Sequence, residues 1–304
     1  VGCLEAARDP FAFYHDLGQR SRADLEATLP AHWSFENKRV LDFGCGAGRT
    51  LRHFTAEAER GEFWGCDIDA ASIAWMEGHL VPPFHVFRND ALPPLERPDG
   101  YFDLIWCVSV FTHVTDSWSA WLLELRRVLA PGGLLIATYM GEGLSETIAG
   151  EPWDERVIGM NPRRLGQSWD AGGPMVLHSP WWIREHWGRA FDVLELTPYG
   201  FATDGPQGQG VVVLRKTDAP VTTTDLERVV PSDEREIRAL QQNERTLTSE
   251  ILELRTTVDY LTGQHAILAE AHRAVTGSLS WRMTEPVRKL KRLGRSLVGR
   301  LRSH

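Results

Sequence analysis

The 304-residue chain has no apolar run approaching the ~20 residues that cross a bilayer, and no signal-peptide-like apolar stretch near its N-terminus. The expected compartment is therefore the cytoplasm. Cysteine is sparse: Cys3, Cys45, Cys66 and Cys107 are scattered, with no CxxC and no Cys/His metal spacing. No disulfide framework and no metal site are expected, and Cys66 and Cys107, set in apolar runs, read as small core residues. Positive charge is scarce outside the C-terminus. The net charge is −8, yet residues 277–304 hold eight Lys/Arg against Glu285, so +7 lies there and −15 elsewhere. An acidic body argues against a nucleic-acid partner, while the basic tail suits an anionic surface.

What is present is alternation. Residues 1–34 read as a helical cap, with 4–30 helical and Leu17, Leu25 and Leu29 separated by polar positions. Strands are predicted at Arg39–Phe43, Glu62–Cys66, Phe84–Arg88, Phe102–Val108 and Leu134–Tyr139. Helices are predicted between them at Arg49–Ala58, Ala70–His79 and Trp118–Leu129, the last stopped by Pro131-Gly132-Gly133. Such alternation predicts an α/β, doubly wound, mostly parallel sheet. Residues 140–179 lose the pattern over a length expected of a lid. A Trp-rich helix at Pro180–Ala190 and strands at Asp192–Thr197 and Gly210–Arg215 complete a domain spanning 35–216, and 217–233 reads as a linker.

Beyond the linker the period becomes seven. Leu240, Leu247, Leu254, Leu261, Leu268 and Val275 recur at one heptad position. Ile237, Glu244, Ile251, Val258, His265 and His272 occupy the other. Ile or Val opposite Leu predicts a parallel two-stranded coiled coil over 234–276, and hence self-association. The polar core residues Glu244, His265 and His272 weaken it but fix its register. From 277 to 304, Val287, Leu290, Leu293, Leu297 and Leu301 recur among Arg and Lys. That is a basic amphipathic helix suited to peripheral contact with anionic lipid, or alternatively to a protein partner.

The chemistry starts at Val40-Leu41-Asp42-Phe43-Gly44-Cys45-Gly46-Ala47-Gly48, a strand running into a glycine loop that brings backbone N–H groups close to a ligand. A dinucleotide fingerprint needs glycine three residues after its second glycine, and Arg49 stands there instead.

This run resembles the first motif of class I S-adenosylmethionine-dependent methyltransferases, and four further segments follow in register. Gly65-Cys66-Asp67-Ile68-Asp69 ends the second strand, where the family's acidic residue binds the ribose hydroxyls. Asn89-Asp90-Ala91 is similar to the adenine-facing loop. Phe102-Asp103-Leu104-Ile105 begins the fourth strand, and Leu125 to Leu134 resembles the entry to the fifth. The resemblance implies a Rossmann-like sheet with an antiparallel last strand and S-adenosyl-L-methionine as co-substrate. It assigns cofactor contact to Asp42, Gly44, Cys45, Gly46, Gly48, Asp67, Ile68, Asp90, Ala91 and Ser109. Asp42 would organise the methionine amino group, directly or through water, or cap the glycine loop. Asp69 reads as a helix cap.

Transfer to a hydroxyl needs a base. His113, after Ser109-Val110-Phe111-Thr112, stands where the methyl group would emerge, and its neighbours Thr115 and Asp116 could orient it or the substrate. His178 and His186 are weaker choices. Trp153, Trp169, Trp181, Trp182 and Trp187, beside Asp154, Arg156, Asn161, Arg163 and Arg164, suit a sugar acceptor by stacking and hydrogen bonding, or else pack the lid. Ser278 to Arg288 resembles a short segment of bacterial surface-polysaccharide enzymes. The sequence thus predicts a methyltransferase acting on a cell-surface glycan. A small-molecule O- or N-methyltransferase and a non-catalytic S-adenosylmethionine-binding scaffold are the alternatives.

Overall fold

The computed structural model describes residues 9–284 apart from 151, 166, 169–172 and 204. Helix α1 (Pro10–Thr28) is capped by Asp9, whose carboxylate accepts the N–H groups of Phe11 and Ala12. Strands β1 (Arg39–Phe43), β2 (Glu62–Asp67), β3 (His85–Arg88), β4 (Phe102–Cys107) and β5 (Leu129–Tyr139) follow. Between them lie α2 (Thr55–Ala58), α3 (Ala70–His79) and α4 (Trp118–Val128). Strands β6 (Met160–Arg163) and β7 (Met175–His178) precede α5 (Pro180–His186), and β8 (Phe191–Phe201) and β9 (Gln209–Lys216) close the domain.

The main sheet has seven strands in the order β3-β2-β1-β4-β5-β9-β8. Its first five members pair in parallel, and β9 runs antiparallel to both β5 and β8. The predicted Rossmann-like sheet is therefore present. Side-chain alternation divides its central strands between two cores. Val40, Leu104, Trp106 and Ile136 pack with Leu25 of α1 and Phe54, while Leu41, Ile105, Cys107 and Ala137 pack with Leu122 and Leu125 of α4. Both faces are covered, which is why β1 and β4 read as near-continuous apolar runs. Strand order reverses between β1 and β4, so their carboxyl ends frame a crevice.

Four expectations are corrected. The helix predicted over Arg49–Ala58 is a 3-10 turn at Leu51–Phe54 followed by the short α2. Its start is drawn tight by Arg52, whose guanidinium donates to the carbonyls of Gly48 and Ala47 at 2.9 and 2.6 Å. Pro131-Gly132-Gly133 lies within β5: Leu129 pairs with Phe102 and Leu134 with Leu104, the extra residues being taken up in a bulge. The lid at 140–179 holds the antiparallel pair β6–β7. The linker at 217–233 is packed, not loose. It forms α6 (Thr223–Glu227), where Thr222 and Asp225 make a capping box and Leu226 is fully buried. Arg189 donates to the carbonyls of Asp225, Leu226 and Arg228 and so ties α6 down.

Helix α7 (Glu234–Gly277) is continuous, and α8 (Leu279–Met283) follows it. The chain divides into compact units 1–247 and 248–304. The root of α7 thus belongs to the catalytic unit, through buried Glu236 and Ala239 and a 2.9 Å bond from Asn243 Nδ2 to the Met160 carbonyl. The predicted stalk start at 234 coincides with the start of α7, and the first compact unit runs on to Leu247. In the second unit the seam residues Ile251, Leu254, Val258, Leu261 and Leu268 are all at least half exposed. Val287 to Leu301 of the predicted basic tail lie outside the described residues, as does Cys3. Among the described residues no helix is long and apolar enough to cross a membrane.

Candidate active site

The crevice is built on the glycine loop. Gly44 and Cys45 both donate to the Cys66 carbonyl, at 2.8 and 3.0 Å, which clamps the loop to the end of β2. Gly44 and Gly48 have φ of +76° and +73°, and a Cβ would lie 2.4 Å from Val110 Cγ2 at the first and 2.8 Å from Leu80 Cδ1 at the second. The positive φ is what calls for glycine at both, since the side-chain ends a Cβ would meet could shift. Gly46 differs: its φ is +53°, and a Cβ there would meet nothing within 4 Å. The hollow beside Gly46 is room for a ligand to approach the backbone. Asp67 faces it, Oδ2 accepting the Gly46 N–H at 2.7 Å and Oδ1 the Asp69 N–H at 2.9 Å. Each carboxylate oxygen keeps a second lone pair, enough for two ribose hydroxyls. Asp69 is occupied as the cap of α3, accepting from Ala71 and Ser72.

Beneath the loop Asp42 is 3% exposed, and burial pushes its carboxyl up to about 7, the Trp106 indole and the Arg49 charge acting against the rise. The Nε of Arg49 is buried with no protein partner, a donor placed for an anionic group such as a carboxylate. Arg52 lies 5.2 Å from the ring centres of both Tyr14 and Trp75, so α1 and α3 meet across one guanidinium. Tyr14 is pushed up by burial and sits within the fields of Arg52, Arg49 and Asp42. The N-terminal cap therefore contributes to the site. Sequence reasoning missed Tyr14 and Arg52, and met Arg49 only as the residue that spoils dinucleotide spacing.

At the other end Asn89 is buried. Its backbone N–H donates to the Asp67 carbonyl at 3.2 Å, its Nδ2 donates to the Asp90 carbonyl at 2.8 Å, and its Oδ1 has no protein partner. Trp121 Nε1 holds the Ala91 carbonyl at 3.1 Å, and the Ile68 carbonyl accepts from Arg88 Nε at 3.1 Å. Asp90 and Ala91 are exposed on the same rim. A buried donor at Arg49, an open hollow at Gly46 and a buried acceptor at Asn89 fit the carboxylate, the ribose and the adenine amino group of S-adenosylmethionine. The thiols of Cys45, Cys66 and Cys107 are buried and pushed up by that burial, as core residues should be.

At the end of β4, Ser109 adopts φ +64°, a conformation that non-glycine residues avoid and that marks functional turns. Its N–H donates to Thr138 Oγ1 at 2.8 Å, and its hydroxyl accepts from Gln209 Nε2. Thr138 donates in turn to Gln209 Oε1 at 2.5 Å, so β4, β5 and β9 are locked together. Four residues on, His113 Nδ1 lies 2.8 Å from the Pro174 carbonyl oxygen. A carbonyl only accepts, so Nδ1 carries a proton, and in the neutral ring Nε2 holds the lone pair. The Val176 N–H donates to the Thr112 carbonyl at 2.8 Å, lacing the lid to the same segment.

His178 and His186 are corrected as bases. His178 is fully buried, neither ring nitrogen has a protein partner, and burial pushes it down to about 3. Its rings of contact are Trp182 and Trp187, at 5.5 and 5.9 Å. Both nitrogens of His186 are engaged, Nδ1 with the Leu226 carbonyl at 2.7 Å and Nε2 with the Glu236 carboxylate at 3.2 Å. The expected sugar-stacking surface is corrected at three of its five tryptophans. Trp187 and Trp181 are core residues, the latter donating to the Glu155 and Ile158 carbonyls, and Trp153 packs on a small core under the lid. An indole buries too much area to be left in solvent when a core can take it. Trp169 lies outside the described residues. Asp154 and Arg156 pair with each other at 2.9 Å, while buried Asn161 accepts the Gly159 N–H and buried Arg163 donates to the Pro162 carbonyl. Arg164 turns the chain at φ +54°.

The methyltransferase-domain family model matches residues 13–197. Among curated relatives, phthiotriol/phenolphthiotriol dimycocerosates methyltransferase 1 of Mycobacterium ulcerans is 29% identical over 153 residues, 50% of this chain and 54% of that protein. A ubiquinone biosynthesis O-methyltransferase of Bradyrhizobium is 33% identical over 105 residues, 34% of this chain and 40% of that protein. The chain thus spans about half the length of the curated relatives it matches. A solved Listeria monocytogenes structure, assigned to the S-adenosylmethionine-dependent methyltransferases, shares the fold at a TM-score of 0.50 and 16% identity, over 66% of this chain and 98% of that one. With its sheet order, glycine hollow and Asp67 in place, the chain belongs to the methyltransferase-domain family, and the domain is a class I S-adenosylmethionine-dependent methyltransferase domain.

Proposed function

We propose that this chain methylates a sugar hydroxyl of a bacterial cell-surface glycan, with His113 as the general base. S-adenosylmethionine, when bound, supplies an electrophilic methyl group. The observation that carries the assignment is the contact of His113 Nδ1 with the Pro174 carbonyl, which in the neutral ring leaves Nε2 as the nitrogen to accept the acceptor's proton as its oxygen is alkylated. Asp67 and the Gly46 backbone hold the ribose, Arg49 and Asp42 the two charges of the amino-acid end, and Asn89, Asp90 and Ala91 the adenine rim. Gly44, Cys45, Gly48, Ile68 and Ser109 shape the loop around them. Orientation and exclusion of water supply much of the rate.

The sugar acceptor is supported by the segment from Ser278 to Arg288, similar to parts of surface-polysaccharide enzymes, and by the heptads, which would join two heads through a parallel coiled coil. The basic tail would hold them at the inner face of the cytoplasmic membrane. A small-molecule acceptor is the second reading, favoured by the names of relatives such as the ubiquinone biosynthesis O-methyltransferase. A scaffold without turnover is disfavoured by the placement of Asp67 and His113. Mass spectrometry of the surface glycan from cells with and without this protein tests the proposal. Loss of one methyl group per repeat or chain end supports it, and an unchanged glycan contradicts it.

A further inference from the structure

A cavity of about 240 Å³ lies between the segment following His113, the β6 strand of the lid, α5 and the root of α7. Thr115 and Asp116, two and three residues past His113, line one side, and Glu236 and Asn243 of α7 line another. Its apolar faces include Trp118 and Trp182, whose ring centres are 4.9 Å apart at 67°. Its size is below the ~300–1,000 Å³ of drug-sized pockets, enough for one ring and too small for a chain of them.

The polar lining is rich in acceptors. Asp116, Glu227 and Glu236 contribute carboxylates, and no lysine or arginine is among the described residues that line it. An anionic ligand would face those three carboxylates, and His186, the basic side chain of the lining, is already engaged through both ring nitrogens by Leu226 and Glu236. Two of the carboxylates are already compensated by protein donors: Glu227 accepts from Ser119 Oγ, and Glu236 faces His186 Nε2. That leaves hydrogen-bond acceptors more than a trap for a cation. Asn243 adds a neutral acceptor, for its Nδ2 is spent on the Met160 carbonyl while its buried Oδ1 has no protein partner. A buried carbonyl oxygen left unpaired is costly, and a ligand hydroxyl would satisfy it.

We infer that this cavity seats one uncharged sugar ring of the acceptor, its hydroxyls donating to Asn243, Asp116 and the glutamates and its C–H face resting on the indoles. The root of the C-terminal helix then forms a wall of the acceptor site and is not merely the start of a stalk. This inference rests on the glycan reading and adds to it which ring chemistry is admitted and where.

Saturation-transfer NMR on the full chain with S-adenosylhomocysteine tests it, using methyl α-mannopyranoside, methyl β-galactopyranoside and methyl β-glucuronide as probes. Two variants accompany the wild type. Val229→Trp fills the cavity from an irregular segment, and Asn243→Leu removes the orphan acceptor without touching the heptad seam. Retained S-adenosylhomocysteine binding shows that each is folded. A neutral glycoside should bind, the glucuronide should not, and either folded variant should weaken the neutral glycoside by about tenfold. Equal binding of the glucuronide, no binding of any probe, or neutral binding unchanged in both variants overturns the inference. Glycan methylation distinguishes the two levels. Undiminished methylation by both folded variants defeats the cavity and leaves the glycan reading standing, whereas no methylation by the wild type defeats the glycan reading itself.

Discussion

His113 and Pro174 come from segments 61 residues apart, yet the imidazole Nδ1 lies 2.8 Å from the proline carbonyl oxygen. That contact places a proton on Nδ1 and ties the lid to the segment after β4. His113→Ala should lower kcat by about 10²- to 10⁴-fold, the usual loss of a general base, while S-adenosylmethionine affinity stays within about twofold. Steady-state kinetics beside calorimetry checks this. A matched loss of affinity would make the residue part of the cofactor site instead.

Asp42 gives a pH dependence with a definite sign. Its folded carboxyl titrates at about 7 against an ordinary value of 3.8 because it is buried. Between those values the folded chain holds a proton that the unfolded chain has released, so stability without ligand falls as pH rises through the window. The proposed ammonium partner needs the ionised form, so S-adenosylmethionine should bind more tightly as pH rises from about 6 to 8. Asp42→Asn should flatten that profile, weaken binding, and stabilise the ligand-free protein at neutral pH by up to about 4 kcal/mol. Calorimetry across pH and thermal melts test all three.

His178 predicts the opposite edge. Buried and pushed down to about 3, it stays neutral when folded, whereas an unfolded histidine gains its proton near 6.5. Stability should therefore be lost as pH falls below that value, by about 1.4 kcal/mol per unit from this residue. His178→Phe keeps an aromatic ring between Trp182 and Trp187 and removes two unpaired nitrogens. It should resist acid better and leave methyl transfer unchanged. Denaturant titrations at several pH values decide.

How much of this was legible depends on how local each signal is. Strands β1 to β4 and the glycine loop could be read to within a residue, because β1 and β4, covered on both faces, leave near-continuous apolar runs, β2 and β3 alternate regularly with helices, and φ > 0 favours glycine. Asp67 and Asp69 were separable because only Asp69 immediately precedes a helix. Tyr14, Arg49 and Arg52 were not legible as a group. They meet only when α1 folds over the loop, 35 or more residues away in sequence for the Tyr14 pairs. The lid tryptophans misled for the same reason, since composition alone does not separate an indole in a core from one facing a ligand. The Pro-Gly-Gly run misled because a bulge can hold what a regular strand cannot.

The heptads predict a dimer, and the position of Glu236 says where to cut. Truncation after Leu247 leaves the His186–Glu236 contact and the Asn243 bond intact, whereas truncation at Ser232 removes both. Sedimentation should find the full chain dimeric and residues 1–247 monomeric with S-adenosylmethionine binding retained. A dimeric 1–247 fragment would place the interface on the catalytic unit.

Binding of S-adenosylmethionine is expected to depend most on Asp67 beside the Gly46 hollow. Calorimetric titration of S-adenosylmethionine into the wild type and Asp67→Ala measures it directly. The wild type should bind one equivalent saturably and the variant about 100-fold more weakly, the loss expected when the hydrogen bonds from two hydroxyls to a charged carboxylate are removed. Equal affinity in a folded Asp67→Ala protein would contradict the account.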